Sequence, residues 1–123
     1  MHYAILCYDS EAAVGAWTKE EEAATMARLR KVQENLASTG KLGPVARLMP
    51  TTTATTLRKA REPVVIDGPF AETKEQLLGF YVVDCADLEE AIGIAKDLAK
   101  ANPGVGSYEI RPIMVLNPVG GKT

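Results

Sequence analysis

The sequence is poor in the residues that form metal and redox sites. It contains one histidine, His2, and two cysteines, Cys7 and Cys85. The cysteines are far apart and form no C-x-x-C pair, which argues against a zinc knuckle and against a dithiol redox site. Both lie among mostly apolar residues, where a free cysteine usually acts as a small apolar side chain. We therefore expect no metal and no other cofactor.

Excess positive charge and long apolar runs are also missing. The chain has 14 Lys and Arg against 16 Asp and Glu, a formal net charge of −2. Nucleic-acid binding depends on clustered Lys and Arg, so no direct nucleic-acid partner is expected. The longest unbroken apolar run, residues 3–8, is too short to span a bilayer or to form the core of a signal peptide. We expect a cytoplasmic protein without membrane contact.

The chain does have enough apolar residues for one core. Hydrophobic residues make up 46% of the 123 positions and charged residues 24%, an ordinary balance for a globular protein. A chain of this length can bury a real core without disulfide bonds or metals. We predict one domain over residues 1–117, followed by a flexible tail over residues 118–123.

The first residues of two helices are recognisable. Thr18 and Glu21 have the S/T-x-x-E spacing of a capping box, which predicts a helix that starts there and stops near Gly40. Asp87 precedes a second helix, and Asn102 lies where that helix ends. The apolar residues that we expect the helices to bury are Ala23, Met26, Leu29, Val32, Leu36 and Ala37 in the first, and Leu88, Ala91, Ile92, Ala95, Leu98 and Ala99 in the second.

Most of the remaining chain is typical of β-strands. Residues 2–8 and 79–85 are apolar on both faces of the strands they would form. Gly, Pro and charged residues separate the shorter segments. These are a loop at 9–16, short β segments at 44–49 and 107–116, and an added hairpin at 53–67.

The order of these elements predicts an α+β fold. A β-α-β-hairpin-β-α-β order is the split βαβ pattern of ferredoxin-like folds, βαββαβ with an added β-hairpin, in which both helices lie on one face of an antiparallel sheet. The other face of such a sheet is usually polar. Here it is apolar, and a monomer rarely exposes an apolar patch of that size. We therefore predict an isologous homodimer, a dimeric α/β barrel, in which a second copy covers this face.

A segment after the hairpin resembles a family signature. Residues 67–77, Asp-Gly-Pro-Phe-Ala-Glu-Thr-Lys-Glu-Gln-Leu, are similar to the DGPF-type YCII-related proteins, and the resemblance extends over nearly the whole chain. It implies a dimeric α/β barrel. It also implies the genomic company of extracytoplasmic-function sigma factors. Shorter YCII-like proteins have a helix-borne histidine in a proposed acid–base pair, and residues 18–39 contain no histidine.

The predicted topology gathers polar residues at one edge of the sheet. The first strand lies between the third and the last and runs antiparallel to both, so its end meets the beginnings of its neighbours. The loop after Asp67 should overhang this edge, whereas His2 and Cys85 belong to the opposite edge. The residues that we expect to meet are a catalytic group of Asp67, Glu72 and Lys74, and a substrate-binding group of Asp9, Tyr81, Glu109 and Arg111.

Charge and strand alternation are the reasons for these assignments. Carboxylates near a lysine and apolar walls acquire shifted pKa values and can transfer protons. Lys74 or Arg111 would stabilise a developing negative charge. Glu109 and Arg111 alternate with Tyr108 and Ile110, which places them on the face away from the helices.

Each assignment also has a purely structural interpretation. Asp67 could cap the tight turn, while the other two charged residues of the loop form a solvated pair. Glu109 and Arg111 could form a salt bridge across the strand or the dimer. Tyr81 could be an ordinary core aromatic residue.

These features together predict a small-molecule site. We expect a homodimer that binds a small anionic or carbonyl-bearing molecule in the cleft between sheet and helices and that could support acid–base chemistry without a cofactor. The residues do not decide whether the protein is an enzyme. The alternative, drawn from the resemblance, is a regulatory or interaction module associated with an extracytoplasmic-function sigma factor.

Overall fold

A computed structural model describes residues 1–117 of the chain. The predicted tail, residues 118–123, lies outside the described residues. None of the helices within residues 1–117 combines the length and apolar composition needed to cross a membrane. The elements are β1 (His2–Asp9), α1 (Glu11–Gly15), α2 (Lys19–Ser38), β2 (Leu42–Arg47), a single 3₁₀ turn (Thr51–Thr53), β3 (Thr55–Arg58), β4 (Val64–Asp67), β5 (Gln76–Asp84), α3 (Leu88–Ala101) and β6 (Ser107–Pro112).

The strands form a four-stranded antiparallel sheet and a separate hairpin. The sheet has the order β2-β5-β1-β6, and β3 pairs only with β4. This confirms the ferredoxin-like α+β fold with an added hairpin, and it places β1 between β5 and β6 as predicted. The described chain forms an open sheet and not a closed barrel, so the barrel stays a prediction about two copies.

The two long helices begin where their capping residues predict. The Thr18 hydroxyl accepts a hydrogen bond from the Glu21 backbone N–H, and the Glu21 carboxylate accepts one from the Thr18 N–H. The Asp87 carboxylate accepts a hydrogen bond from the Glu90 N–H at 2.9 Å. These contacts satisfy N–H groups that have no partner inside the helix.

One helix was not predicted. Residues 9–16 were expected to form a loop, but α1 occupies most of them, with Ser10 as its N-cap. The reason is its length, because five residues without a buried side chain show no helical periodicity in the sequence. α1 lies at the mouth of the cavity described below.

The core lies between the sheet and the long helices. Ile5, Val83 and Leu98 are its largest fully buried side chains. The buried set of α3 differs from the predicted one, since Ile94 is buried and Leu88 is half exposed. The buried residues of α3 are Ala91, Ile94, Ala95, Leu98 and Ala101.

The other face of the sheet is apolar at its centre and charged at one edge. The register pairs Leu6 with Phe80 in the middle of this face, and neither long helix packs there. On the edge strand β6, Glu109 lies opposite Leu6 and Arg111 lies opposite Ala4. These two charged residues therefore occupy the face that strand alternation predicts.

Candidate functional site

A cavity of about 400 Å³ lies between the helix-facing side of the sheet and the two long helices. We call it the sheet–helix cavity. Its lining includes residues at the edge of the sheet where β1 ends and where β5 and β6 begin. That is the edge at which the sequence predicted a site.

The floor of the cavity carries three polar side chains from three neighbouring strands. Cys7 of β1 pairs with Tyr108 of β6, and Ile5, two residues before Cys7, pairs with Tyr81 of β5. Because side chains alternate between the two faces of a sheet, Cys7, Tyr81 and Tyr108 share the face that packs against the helices. All three line the cavity.

The helices provide the roof of the cavity. Small side chains on α3, Ala95 and Ala99, leave space above the floor. Ile92 and Ala99 were predicted to be buried residues of this helix, but Ile92 is half-buried and Ala99 is exposed, and both line the cavity. The α2 residues that line it are Met26, Leu29 and Gln33.

The mouth of the cavity is formed by α1, by Trp17 just after it and by the loop before β6. Val14, Trp17 and Gly106 are among the residues that line the cavity. Gly106 has a φ of 136°, and a Cβ at this position would lie only 2.6 Å from the Tyr8 carbonyl oxygen. The loop therefore approaches the end of β1 more closely than a larger residue permits.

The polar groups on the floor are held in their neutral forms. Burial raises the pKa of the Cys7 thiol to about 12. Burial also raises the pKa of Tyr81 to about 12, and the nearby Cys7 and Tyr108 add to this rise. The pKa of Tyr108 is raised as well, chiefly by burial. At neutral pH the floor therefore presents two phenols and a thiol, and none of these is a nucleophilic anion.

Two side-chain amides stand beside the phenols. The Asn102 Nδ2 donates to the Tyr108 hydroxyl oxygen at 3.4 Å. Gln33 lies next to the Tyr81 hydroxyl, where its amide opposes the rise of the Tyr81 pKa. An amide N–H that donates to a phenol oxygen leaves the phenol proton available for another acceptor.

Charged groups lie near the rim and not on the floor. The exposed Arg47 guanidinium pairs with the Glu22 carboxylate at 3.2 Å and lies 3.7 Å from the Met26 sulfur. Lys96 is exposed on α3. Asp9 is the one carboxylate residue among the lining residues of the described chain, and its Oδ1 accepts from the Ser10 N–H at 2.7 Å.

The structure separates the predicted substrate-binding residues into two groups. Asp9 and Tyr81 line the sheet–helix cavity. Glu109 and Arg111 lie on the opposite face of the sheet and are exposed. Within residues 1–117 neither of them has an ion-pair partner.

The predicted catalytic residues lie outside the cavity. Asp67 ends β4 and pairs with Thr55 across the hairpin, while Glu72 and Lys74 belong to the connection between β4 and β5. All three are exposed, and no ion pair joins them in the described part of the chain. Their catalytic role stays a prediction.

Several polar residues of the lining were not predicted from the sequence. Cys7 was read as a core residue, and Gln33, Asn102 and Tyr108 were not considered as site residues. Gln33 follows directly after Val32 of the apolar stripe. This position of a polar residue beside an apolar stripe was the one sequence signal that could have indicated a role in the site. No group of three His, Cys, Asp or Glu side chains that could hold a metal ion occurs within residues 1–117.

Fold and site together define a ferredoxin-like α+β domain with a cavity between its sheet and its helices. The model of the YCII-related domain matches residues 1–117. An uncharacterized protein of Rhizobium meliloti (strain 1021) is 58% identical over 119 residues, which cover 96% of each chain. The chain belongs to the YCII-related family.

Proposed function

We propose that this protein binds a small, largely apolar molecule in the sheet–helix cavity. The observation that carries the proposal is the cavity itself, because about 400 Å³ of space walled by apolar side chains and a few polar ones is the usual form of a ligand site. The buried side chains of α2 and α3 do not fill this space, although α3 alone buries five residues. Its opening lies between α1 and the loop before β6.

We propose that the cavity binds a ligand, and we do not assign acid–base catalysis to the groups on its floor. The floor groups are protonated at neutral pH, so none of them is ready to accept a proton as a general base. The predicted catalytic residues of the β4–β5 connection do not line the cavity. If a chemical step follows binding, Asp9 is the carboxylate at the right place, at the mouth.

Filling the cavity tests the proposal. The probe is N-phenyl-1-naphthylamine, an uncharged apolar dye whose fluorescence rises when it leaves water. We expect saturable binding of one dye per chain. The substitution Ala99→Phe adds a ring at an exposed residue that lines the cavity and should weaken this binding about tenfold, or about 1.4 kcal/mol, because the ring competes with the dye for the same space.

The control is the same substitution on the exposed side of α2. Ala27 is exposed and does not line the cavity, so Ala27→Phe should leave the dye affinity unchanged. Dye binding that is equal in Ala99→Phe and in the wild type would place the dye on the surface and contradict the proposal. So would the absence of saturable binding to the wild type.

We further propose that two copies associate through the apolar face of the sheet. Leu6 and Phe80 at the centre of that face have no helix over them. Glu109 and Arg111 carry opposite charges on the same face, two residues apart, and lack partners within residues 1–117. Across a two-fold axis the Glu109 of each copy can face the Arg111 of the other, so this surface complements itself.

Large apolar side chains are also exposed outside the sheet. Phe70 is 83% exposed and Met114 98% exposed. The regulatory alternative, contact with a sigma factor, draws only on the resemblance, and no feature of the described residues adds support to it.

A further inference from the structure

The arrangement of polar groups in the sheet–helix cavity restricts the chemistry of its ligand. The side chains on its floor are phenols and a thiol, and the helix residues that line it are apolar except for Gln33 and the exposed Lys96. Two cationic residues, Arg47 and Lys96, also line the cavity, but both are exposed and the Arg47 guanidinium already pairs with Glu22. A fully buried carboxylate would find no positive partner on the floor, and burying an unpaired charge is costly.

The two phenols are placed to donate hydrogen bonds. Tyr81 and Tyr108 stand on strands separated only by β1 and pair with Ile5 and Cys7, two residues apart on it, so their backbones are about 12 Å apart. Asn102 donates to the Tyr108 oxygen. Neither hydroxyl donates to a protein acceptor within residues 1–117, and no buried polar side chain there is left without a partner. Each phenol proton is therefore free for an acceptor inside the cavity.

We propose that the sheet–helix cavity takes an uncharged, largely apolar molecule with a carbonyl group, whose oxygen accepts hydrogen bonds from the Tyr81 and Tyr108 hydroxyls. This inference rests on the proposed binding function and narrows it. It selects the carbonyl-bearing class over the anionic class that the sequence left open. It also assigns Tyr108, which the sequence analysis did not consider, to ligand recognition.

Neutral donors suit a neutral acceptor for a physical reason. A phenol that stays protonated up to high pH is a constant donor across the physiological range, and the raised pKa values of both tyrosines meet this condition. A hydrogen bond in a site of low polarity is stronger than in water. A ligand without an acceptor would leave both hydroxyls unpaired, at a cost that discriminates against it.

The test compares two probes of the same shape. 2-Acetylnaphthalene carries a ketone, and 2-naphthoate carries a carboxylate that is ionised at pH 7.5. Each is titrated against bound N-phenyl-1-naphthylamine, which has no strong acceptor. We expect the ketone to bind at least about tenfold more tightly than the carboxylate, because the carboxylate must lose its hydration without gaining a cationic partner.

Tyr81→Phe and Tyr108→Phe identify the donors. Loss of one hydrogen bond of about 1 kcal/mol should weaken ketone binding about fivefold in each variant. The affinity for N-phenyl-1-naphthylamine should not fall in either variant, because the dye accepts no hydrogen bond from the hydroxyls, and this retained binding also shows that the variants fold. The ¹³C resonance of a labelled ketone carbonyl should move downfield on binding to the wild type, and less on binding to either variant.

Three results would overturn the inference. One is carboxylate binding as tight as ketone binding, which would make the cavity an anion site. Another is unchanged ketone affinity in both phenylalanine variants, and the third is a carbonyl resonance that does not move on binding. Failure of N-phenyl-1-naphthylamine to bind the wild type is a separate outcome, because it overturns the binding function on which the inference rests.

Discussion

At Gly79 the neighbouring strand β2 approaches so closely that no side chain fits. Gly79 is buried in β5, where it pairs with Cys7 on one side and with Arg47 on the other. A Cβ at Gly79 would collide with the backbone carbonyl oxygen of Ala46, and it would lie 3.2 Å from the Arg47 Cα. Backbone atoms cannot move aside as a flexible side chain can. The close approach of β2 to β5 therefore requires glycine.

We predict that Gly79→Ala lowers the free energy of unfolding by about 2 kcal/mol, because β2 must shift to admit the methyl group. Gly93 is the matched control. It lies on α3 with nothing within 4 Å of an added Cβ, and Gly93→Ala should raise the free energy of unfolding by about 0.5–1 kcal/mol. Urea unfolding followed by circular dichroism measures both. Equal stability of the two variants would contradict the prediction.

At the scale of elements, the hairpin depends on one carboxylate. The hairpin strands pair only with each other, so they gain no hydrogen bonds from the main sheet. Glu11, the first residue of α1, accepts hydrogen bonds from the Thr51 N–H at 2.7 Å and from the Thr51 hydroxyl at 2.5 Å. Its own N–H donates to the Gln76 Oε1 at 3.0 Å. Glu11 thus ties the segment that leads into the hairpin to the mouth of the cavity.

We predict that Glu11→Ala frees the hairpin without unfolding the sheet. Trypsin should cleave after Arg58, Lys59 or Arg61 about tenfold faster, since hydrogen bonds to a charged group contribute about 1.5–3 kcal/mol and local opening exposes the chain. Glu20→Ala, at an exposed position of the first turn of α2, should cleave as slowly as the wild type. Mass spectrometry of the fragments identifies the cleaved bond. Equal cleavage rates in both variants would contradict the role of Glu11.

At the scale of the whole molecule, the apolar sheet face predicts association. We expect the wild type to sediment as a dimer at micromolar concentration. Arg111→Glu replaces the complementary pair by like charges and should weaken the dimer at least about tenfold, since like charges at an interface cost several kcal/mol. Sedimentation velocity over a range of concentrations measures the change.

The charge exchange is the decisive control for the dimer. The double variant Glu109→Arg with Arg111→Glu restores complementarity across a two-fold axis, so it should recover the association that the single variant loses. Lys31→Glu, on the exposed side of α2, should have no effect. A wild type that sediments as a single subunit, or a double variant as weak as the single one, would show that the copies do not meet through this face.

The sequence by itself determined the strands, the two long helices and their order. Caps at Thr18 and Asp87, the apolar runs of β1 and β5 and the turn after Asp67 are local signals, and each was sufficient to place its element in a ferredoxin-like order. The cavity lining was beyond such signals. Which side chains converge depends on the register of β1 against β5 and β6 and on the rotation of α3, which turns Ile94 into the core. Register and rotation are set by packing between segments far apart in the chain, and only the tertiary structure decides them.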